Sequence, residues 1–305
     1  MKISSRIVGT TVGPRTHAID ARWLMAYAAA LGETAPEYLD TTRDRGIVAH
    51  PLFPVCYEWA LALMLRRKAL GGAVAARSVH ATHDLRLHRR PRVGDRLRTT
   101  ATIIAIEPRR PGAYVVTRFE TRDADGLPVT TTDYGSIYRG VSCDDGAAVS
   151  PPESALPARS AIATAPDTGS RVPDWSGTVL IGTALAHVYT ECARIWNPVH
   201  TDRAAAKKAG LPDIILHGTA TLALAVSKIV HREGLGAEAP ITRIGCRFGG
   251  MVRLPSAITV MGWKEARSDH ERVIAFQALT PDGQAAVRDG SLGIADSLPP
   301  TESEA

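Results

Sequence analysis

Between Tyr189 and Thr219 the chain sets Asn197-Pro198-Val199-His200 ahead of a short helix signal and His217-Gly218 behind it. Pro198 fixes its own φ and pushes Asn197 toward an extended backbone, so these four residues read as a loop that presents side chains. A helix is expected to begin at Thr201 or Asp202, to run from Arg203 to Ala209 and to stop at Gly210. An imidazole on such a loop can reach a ligand, and an ordinary pKa of about 6.5 suits it to moving protons near neutrality. His217-Gly218 opens a longer apolar segment that reaches about Arg232 and is closed by Gly234. The first N–H groups of that helix have no intrahelical partner and lie at the positive end of its dipole. Glycine lets a ligand oxygen approach them closely, which makes Gly218 a candidate oxyanion-hole donor. The plainer reading is that Gly218 relieves crowding where the helix meets a sheet. The Asn197 amide either orients the base or a water, or serves as a turn residue before proline.

The elements that must hold these residues recur. In the first half a helix-like segment carries Trp23, Tyr27 and Leu31, and a second one runs from about Val55 to Leu70, ending at Gly71-Gly72. Leu97–Ile106, Tyr114–Thr121 and Val129–Tyr138 alternate with period two, and Asp125-Gly126 turns the last two into a hairpin. In the second half the helix from Gly218 is followed by strands near Ile244–Phe248, Ala257–Trp263 and Val273–Leu279, then Asp282-Gly283 and a strand ending near Ile294. His50 and His217 stand 167 residues apart, Asp125 and Asp282 157, and Gly135-Ser136 and Gly290-Ser291 155, so an internal duplication is expected. The stretch between, rich in Ala, Ser, Gly and Pro, reads as a linker over 142–174, with a first domain over 1–141, a second over 175–296 and a tail over 297–305. One long apolar helix and several antiparallel strands per half define an α+β class in which a sheet wraps a helix.

The run from Tyr189 through Asn197-Pro198-Val199-His200, Asp202, Ala206, Gly210 and Pro212 to Ile215-Leu216-His217-Gly218 resembles the hydratase motif of MaoC-like proteins, the (R)-specific enoyl-CoA hydratases and 3-hydroxyacyl-thioester dehydratases. The resemblance covers about thirty residues without a gap. It implies two fused hot-dog domains and a hydro-lyase acting reversibly at C2–C3 of an acyl thioester, with coenzyme A as carrier and no cofactor or metal of its own. His200 and Asn197 would be catalytic, Gly218 would polarise the thioester carbonyl, and Ile195, Trp196, Tyr189 and His217 would line the pocket. One position departs: the family pattern has Ser-Gly-Asp where this chain has Ala193-Arg194-Ile195, and its Asp, five residues before the His, helps hold and activate water. Ile195 cannot transfer a proton. Either His200 works with Asn197 and another acid, Glu191 or Asp202, or the site serves other chemistry: a cyclisation or dehydration in a specialised pathway, or acyl binding without turnover.

Composition sets the bounds. At 305 residues, 45% hydrophobic and 22% charged, the chain has the balance of a globular protein with two cores. No apolar run is long enough to span a bilayer and no secretory h-region follows the amino terminus, so a cytoplasmic location without membrane association is expected. A net charge of +5 suits an anionic small molecule and is modest for a nucleic-acid binder. Arg86, His88, Arg89, Arg90, Arg92, Arg96 and Arg98 crowd one stretch, as a solvated strand edge or as a patch for a phosphate-bearing ligand. Cys56, Cys143, Cys192 and Cys246 are spaced as isolated thiols, neither a zinc nor a redox motif. The fused pair already satisfies hot-dog pairing, and a homodimer is compatible with it.

Overall fold

The computed structural model describes residues 1–144, 171–268 and 271–295. In chain order the first half has β1 (Lys2–Ile3), a 3-10 turn, β2 (Thr11–Ala18), α1 (Ala21–Ala30), α2 (Pro36–Leu39), α3 (Pro54–Ala69), α4 (Gly72–Ala75), β3 (Ser78–Leu87), β4 (Arg96–Arg109), β5 (Gly112–Arg122), β6 (Pro128–Arg139) and β7 (Ser142–Cys143). The second has β8 (Trp175–Ile181), α5 (Leu185–Ala193), a 3-10 turn at Pro198–His200, α6 (Arg203–Lys208), α7 (Gly218–Arg232), β9 (Ile241–Phe248), β10 (Ser256–Ser268), β11 (Glu271–Leu279) and β12 (Ala285–Ala295). Most of the expected linker and all of the expected tail lie outside the described residues. Ser142-Cys143, placed in that linker by composition, pair with Lys2-Ile3 and belong to the first half.

Ten strands form one sheet in the order β2-β4-β5-β6-β3-β9-β12-β11-β10-β8. Read from either end, the order is the same with the two halves exchanged, and every pairing in it is antiparallel. The halves meet at β3 and β9, where Asp84 stands opposite Gly245 and Leu85 opposite Ile244. Joining there removes the central edge that each half would otherwise expose. Bidentate hydrogen bonds from Arg243 to Asp84, at 2.8 and 2.7 Å, clamp the seam.

α3 packs on β2 and β4, and α7 on β8, β10, β11 and β12. The closest packing between helices is α1 on α5. Trp23 Nε1 donates to the Cys192 carbonyl at 3.1 Å, and the Tyr27 and Tyr189 hydroxyls meet at 3.3 Å, both fully buried. α7 is buried nearly all round, as an enclosed helix must be: Ala220, Leu222, Ala223, Ala225, Val226 and Ile229 have no exposed surface.

Part of the arginine-rich stretch is structural. Arg89 pairs with Asp95 and Asp123, and Arg90 is drawn inside to donate to the carbonyls of Ala49, Ala237 and Ala239, tying the halves together. All four cysteines are free thiols, three of them buried. Among the described residues no helix is long and apolar enough to cross a membrane.

Candidate active site

His200 sits on the 3-10 turn that Pro198 initiates. Its N–H bonds back to the Asn197 carbonyl at 3.1 Å, closing the turn. Asp202 then caps α6, its carboxylate accepting from the N–H groups of Ala204 and Ala205. The His200 Nδ1 lies 2.8 Å from the Ile215 carbonyl. A carbonyl only accepts, so Nδ1 carries the proton and Nε2 keeps its lone pair. Burial pushes the pKa of His200 down to about 4, outweighing the Ile215 carbonyl, which raises it. The ring is thus neutral at physiological pH, with a free base nitrogen.

His217 stacks on His200, ring centroids 3.7 Å apart, and is 2% exposed. The Thr190 hydroxyl gives its proton to the Ala186 carbonyl at 2.8 Å and is left to accept from His217 Nε2 at 3.2 Å. Burial first, and the neighbouring His200 second, hold the pKa of His217 well below the ordinary value. Tyr189 closes the other side of His217 at 5.0 Å and donates to Thr219 Oγ1 at 3.1 Å. Gly218 follows as the first residue of α7, half-buried, and among the described residues no acceptor takes its N–H. A Cβ there would stand 3.1 Å from the Phe248 ring, which would have to shift by a few tenths of an ångström to admit it.

His200, His217, Gly218 and Tyr189 are therefore brought together. Trp196 is not: it is 58% exposed and bonds Glu191 on the surface. Ile195 is 5% exposed and packs with the main hydrophobic cluster. Asn197 is half-buried, and its side chain makes no hydrogen bond to the described protein. Both substitute acids are engaged elsewhere, Asp202 as a helix cap and Glu191 with Trp196.

Arg194 ends α5 in the left-handed region at φ 58°. That conformation explains why a glycine suits this place in the resembling motif, and here the guanidinium recovers stability by stacking 3.9 Å over Trp23.

Sequence reasoning missed Thr190 and the Ile215 carbonyl, which orient the two imidazoles, and Phe248, which packs on Gly218. Beyond the offset of His50 from His217, it also missed the first-half counterpart of the site. Ala35-Pro36-Glu37-Tyr38 parallels Asn197-Pro198-Val199-His200: Asp40 accepts from Thr42 N as Asp202 does from Ala204, although no helix follows it, and Tyr38 lies tilted beside His50 at 6.1 Å where His200 stacks on His217 at 3.7 Å. His50 is followed by Pro51 where His217 is followed by Gly218. Tyrosine is no general base near neutrality, and proline has no N–H to donate.

The mirrored sheet with a helix enclosed on each side is a double hot-dog. The comparisons place it within that class: residues 171–282 match the MaoC like domain and residues 6–132 the FAS1-like dehydratase domain region. The second half thus carries a MaoC-like domain, and the whole chain shares the fold of double hot-dog proteins. Over 105 residues it is 31% identical to the enoyl-CoA hydratase ChsH3 of Mycobacterium tuberculosis, a match that spans 34% of this chain and 36% of that enzyme. The crystal structure of a MaoC-like dehydratase from Phytophthora capsici superposes with a TM-score of 0.75 at 22% identity, covering 96% of this chain and 98% of that one. A Mycobacterium tuberculosis protein described as having a double hotdog fold superposes with a TM-score of 0.62 at 14% identity, over 94% and 96% of the two chains.

Proposed function

We propose that the second half carries out reversible hydration of an enoyl thioester, or dehydration of the 3-hydroxyacyl thioester, with coenzyme A as the carrier. The observation that carries this reading is the pairing of a neutral imidazole, its Nδ1 proton fixed by the Ile215 carbonyl, with an unspent helix N-terminus at Gly218 in the same cluster. In the dehydration direction the thioester carbonyl accepts from the Gly218 N–H, which stabilises the enolate formed when C2 loses its proton. His200 Nε2 takes that proton, and the imidazolium returns it to the departing hydroxyl as water leaves. Hydration is the reverse. His217 holds the first ring in plane by stacking, and Thr190 holds His217. The enzymatic name of the mycobacterial relative agrees with this reading.

A second reading is favoured by one residue. Ile195 leaves the imidazole without the carboxylate that the family motif supplies, which suits a reaction in which the attacking oxygen belongs to the substrate, as in ring closure, better than activation of free water. Loss of enoyl absorbance when the protein is mixed with crotonyl-CoA separates the two. Hydration of crotonyl-CoA is the expected result; a protein that binds acyl-CoA and leaves crotonyl-CoA unchanged contradicts the hydratase reading and leaves ring closure or binding.

A further inference from the structure

Both halves have apolar cores, and they differ in the polar groups buried on the strand faces beneath the long helices. Beneath α7, Ile274, Phe276, Ala278, Val287 and Leu292 pack into one apolar core with the helix. Beneath α3, β6 turns Thr130, Thr132 and Tyr134 toward the helix, where they meet Tyr57 at 3.0 Å, Glu58 at 2.6 Å and Arg66 at 3.2 Å. A run of ring contacts links these polar groups to the candidate active site. From Gly218 the Phe248 ring leads to His80, with ring centroids 4.6 Å apart. His80 stacks on Tyr134 at 3.6 Å and meets His83 edge-on at 5.5 Å. The Arg66 guanidinium lies between Tyr134 and Trp59, 5.7 and 5.5 Å from their ring centroids.

Three polar atoms along this path are buried without a hydrogen-bond partner in the protein: both ring nitrogens of His83, a residue 1% exposed, and Nε1 of Trp59. A buried donor left unmade costs free energy that an apolar side chain in its place would not. A phenylalanine would fill either position. The group set is rich in donors, with the indole N–H, one imidazole N–H and the guanidinium, and so fits a ligand oxygen that accepts.

We propose that the far end of the acyl group reaches the buried polar groups between α3 and the β3–β6 strands, and that this end carries an acceptor oxygen, keto or carboxylate, in place of a plain alkyl terminus. The proposal rests on the acyl-thioester reading above and deepens it to a substrate class.

The test uses the full chain and three unreactive saturated thioesters, octanoyl-CoA, its terminal methyl-ketone analogue and the matching dicarboxylic monothioester, with affinities measured by calorimetry. At least one oxygen-bearing thioester should bind about tenfold or more tighter than octanoyl-CoA, the scale of a site whose buried donors go unpaired against the wrong ligand. His83→Phe and Trp59→Phe should each shrink that ratio. Trp59→Phe carries this arm alone if His83→Phe does not fold. Octanoyl-CoA binding as tightly as both analogues, or a ratio that no folded variant moves, overturns the proposal. Crotonyl-CoA is too short to reach the subsite. If it is hydrated while the preference is absent, the proposal fails alone; if it is not hydrated and no thioester binds, the acyl-thioester reading fails with it.

Discussion

At the residue scale the proposed chemistry rests on one imidazole. Because burial holds the His200 pKa at about 4, the acid limb of kcat/KM should fall near that value and not near 6.5. Rates taken immediately after a pH jump, before acid unfolding, would show it; an acid limb at 6.5 would mean that the base is a solvated group elsewhere. Ile195→Asp tests the missing carboxylate. If the pocket otherwise keeps hydratase geometry, this variant hydrates crotonyl-CoA faster than the parent while melting at a lower temperature, since it buries a carboxylate at a cost of roughly 1–3 kcal/mol. A folded variant with no gain favours the ring-closure or binding reading. His200 and Gly218 were legible as candidates because proline, histidine and glycine leave strong local signals. Thr190 and the Ile215 carbonyl were not, since they act through hydrogen bonds made only when α5 and the segment before α7 come together.

At the scale of elements, Asp202 is the N-cap of α6. Asp202→Asn preserves the acceptor for Ala204 and Ala205, so turnover should stay within a few fold and the melting temperature nearly unchanged. A loss of two orders of magnitude or more in turnover with stability intact would instead give the carboxylate a proton-transfer role. The apolar helices and the alternating strands β4, β5, β6 and β11 could be read from periodicity, because each buries one face. β3 could not: Ser-Val-His-Ala-Thr-His-Asp-Leu-Arg-Leu shows little alternation, and it is a strand because Asp84 finds Arg243 across the seam and Leu85 and Leu87 face the core. β2 was also hidden. It is an edge strand, mostly exposed and interrupted by Pro14, a residue tolerated only where no ladder partner is needed on that side.

At the scale of the whole molecule, the two similar halves differ in their buried polar groups, and the first half holds several of them. Those groups set its response to pH. His17 and His83, at about 4, and His50, at about 3, are held neutral chiefly by burial. Their folded values lie below the unfolded value of about 6.5, so the unfolded chain binds more protons and stability declines as pH falls from 6.5 toward 4. Glu58 works in the opposite sense. Burial raises it to about 8, so the stability of its neutral form is complete below the unfolded value of about 4.5 and is lost as pH rises through 8. Glu58→Gln should therefore raise the melting temperature at pH 8 to 9 relative to the parent and change it little near pH 4; an unchanged alkaline limb would mean that Glu58 is ionised or hydrated in the native state. The sequence offsets had already suggested the duplication and matched His50 to His217, whereas Tyr38 became recognisable as the counterpart of His200 only from its ring lying beside His50. The central claim, that one of two related positions performs the chemistry, is tested most directly by crotonyl-CoA hydration in His200→Ala and Tyr38→Phe beside the parent. The account predicts a fall of on the order of 10²–10⁴ for His200→Ala, with folding intact, and near-parental turnover for Tyr38→Phe; full activity in a folded His200→Ala protein, or its loss in a folded Tyr38→Phe protein, would contradict it.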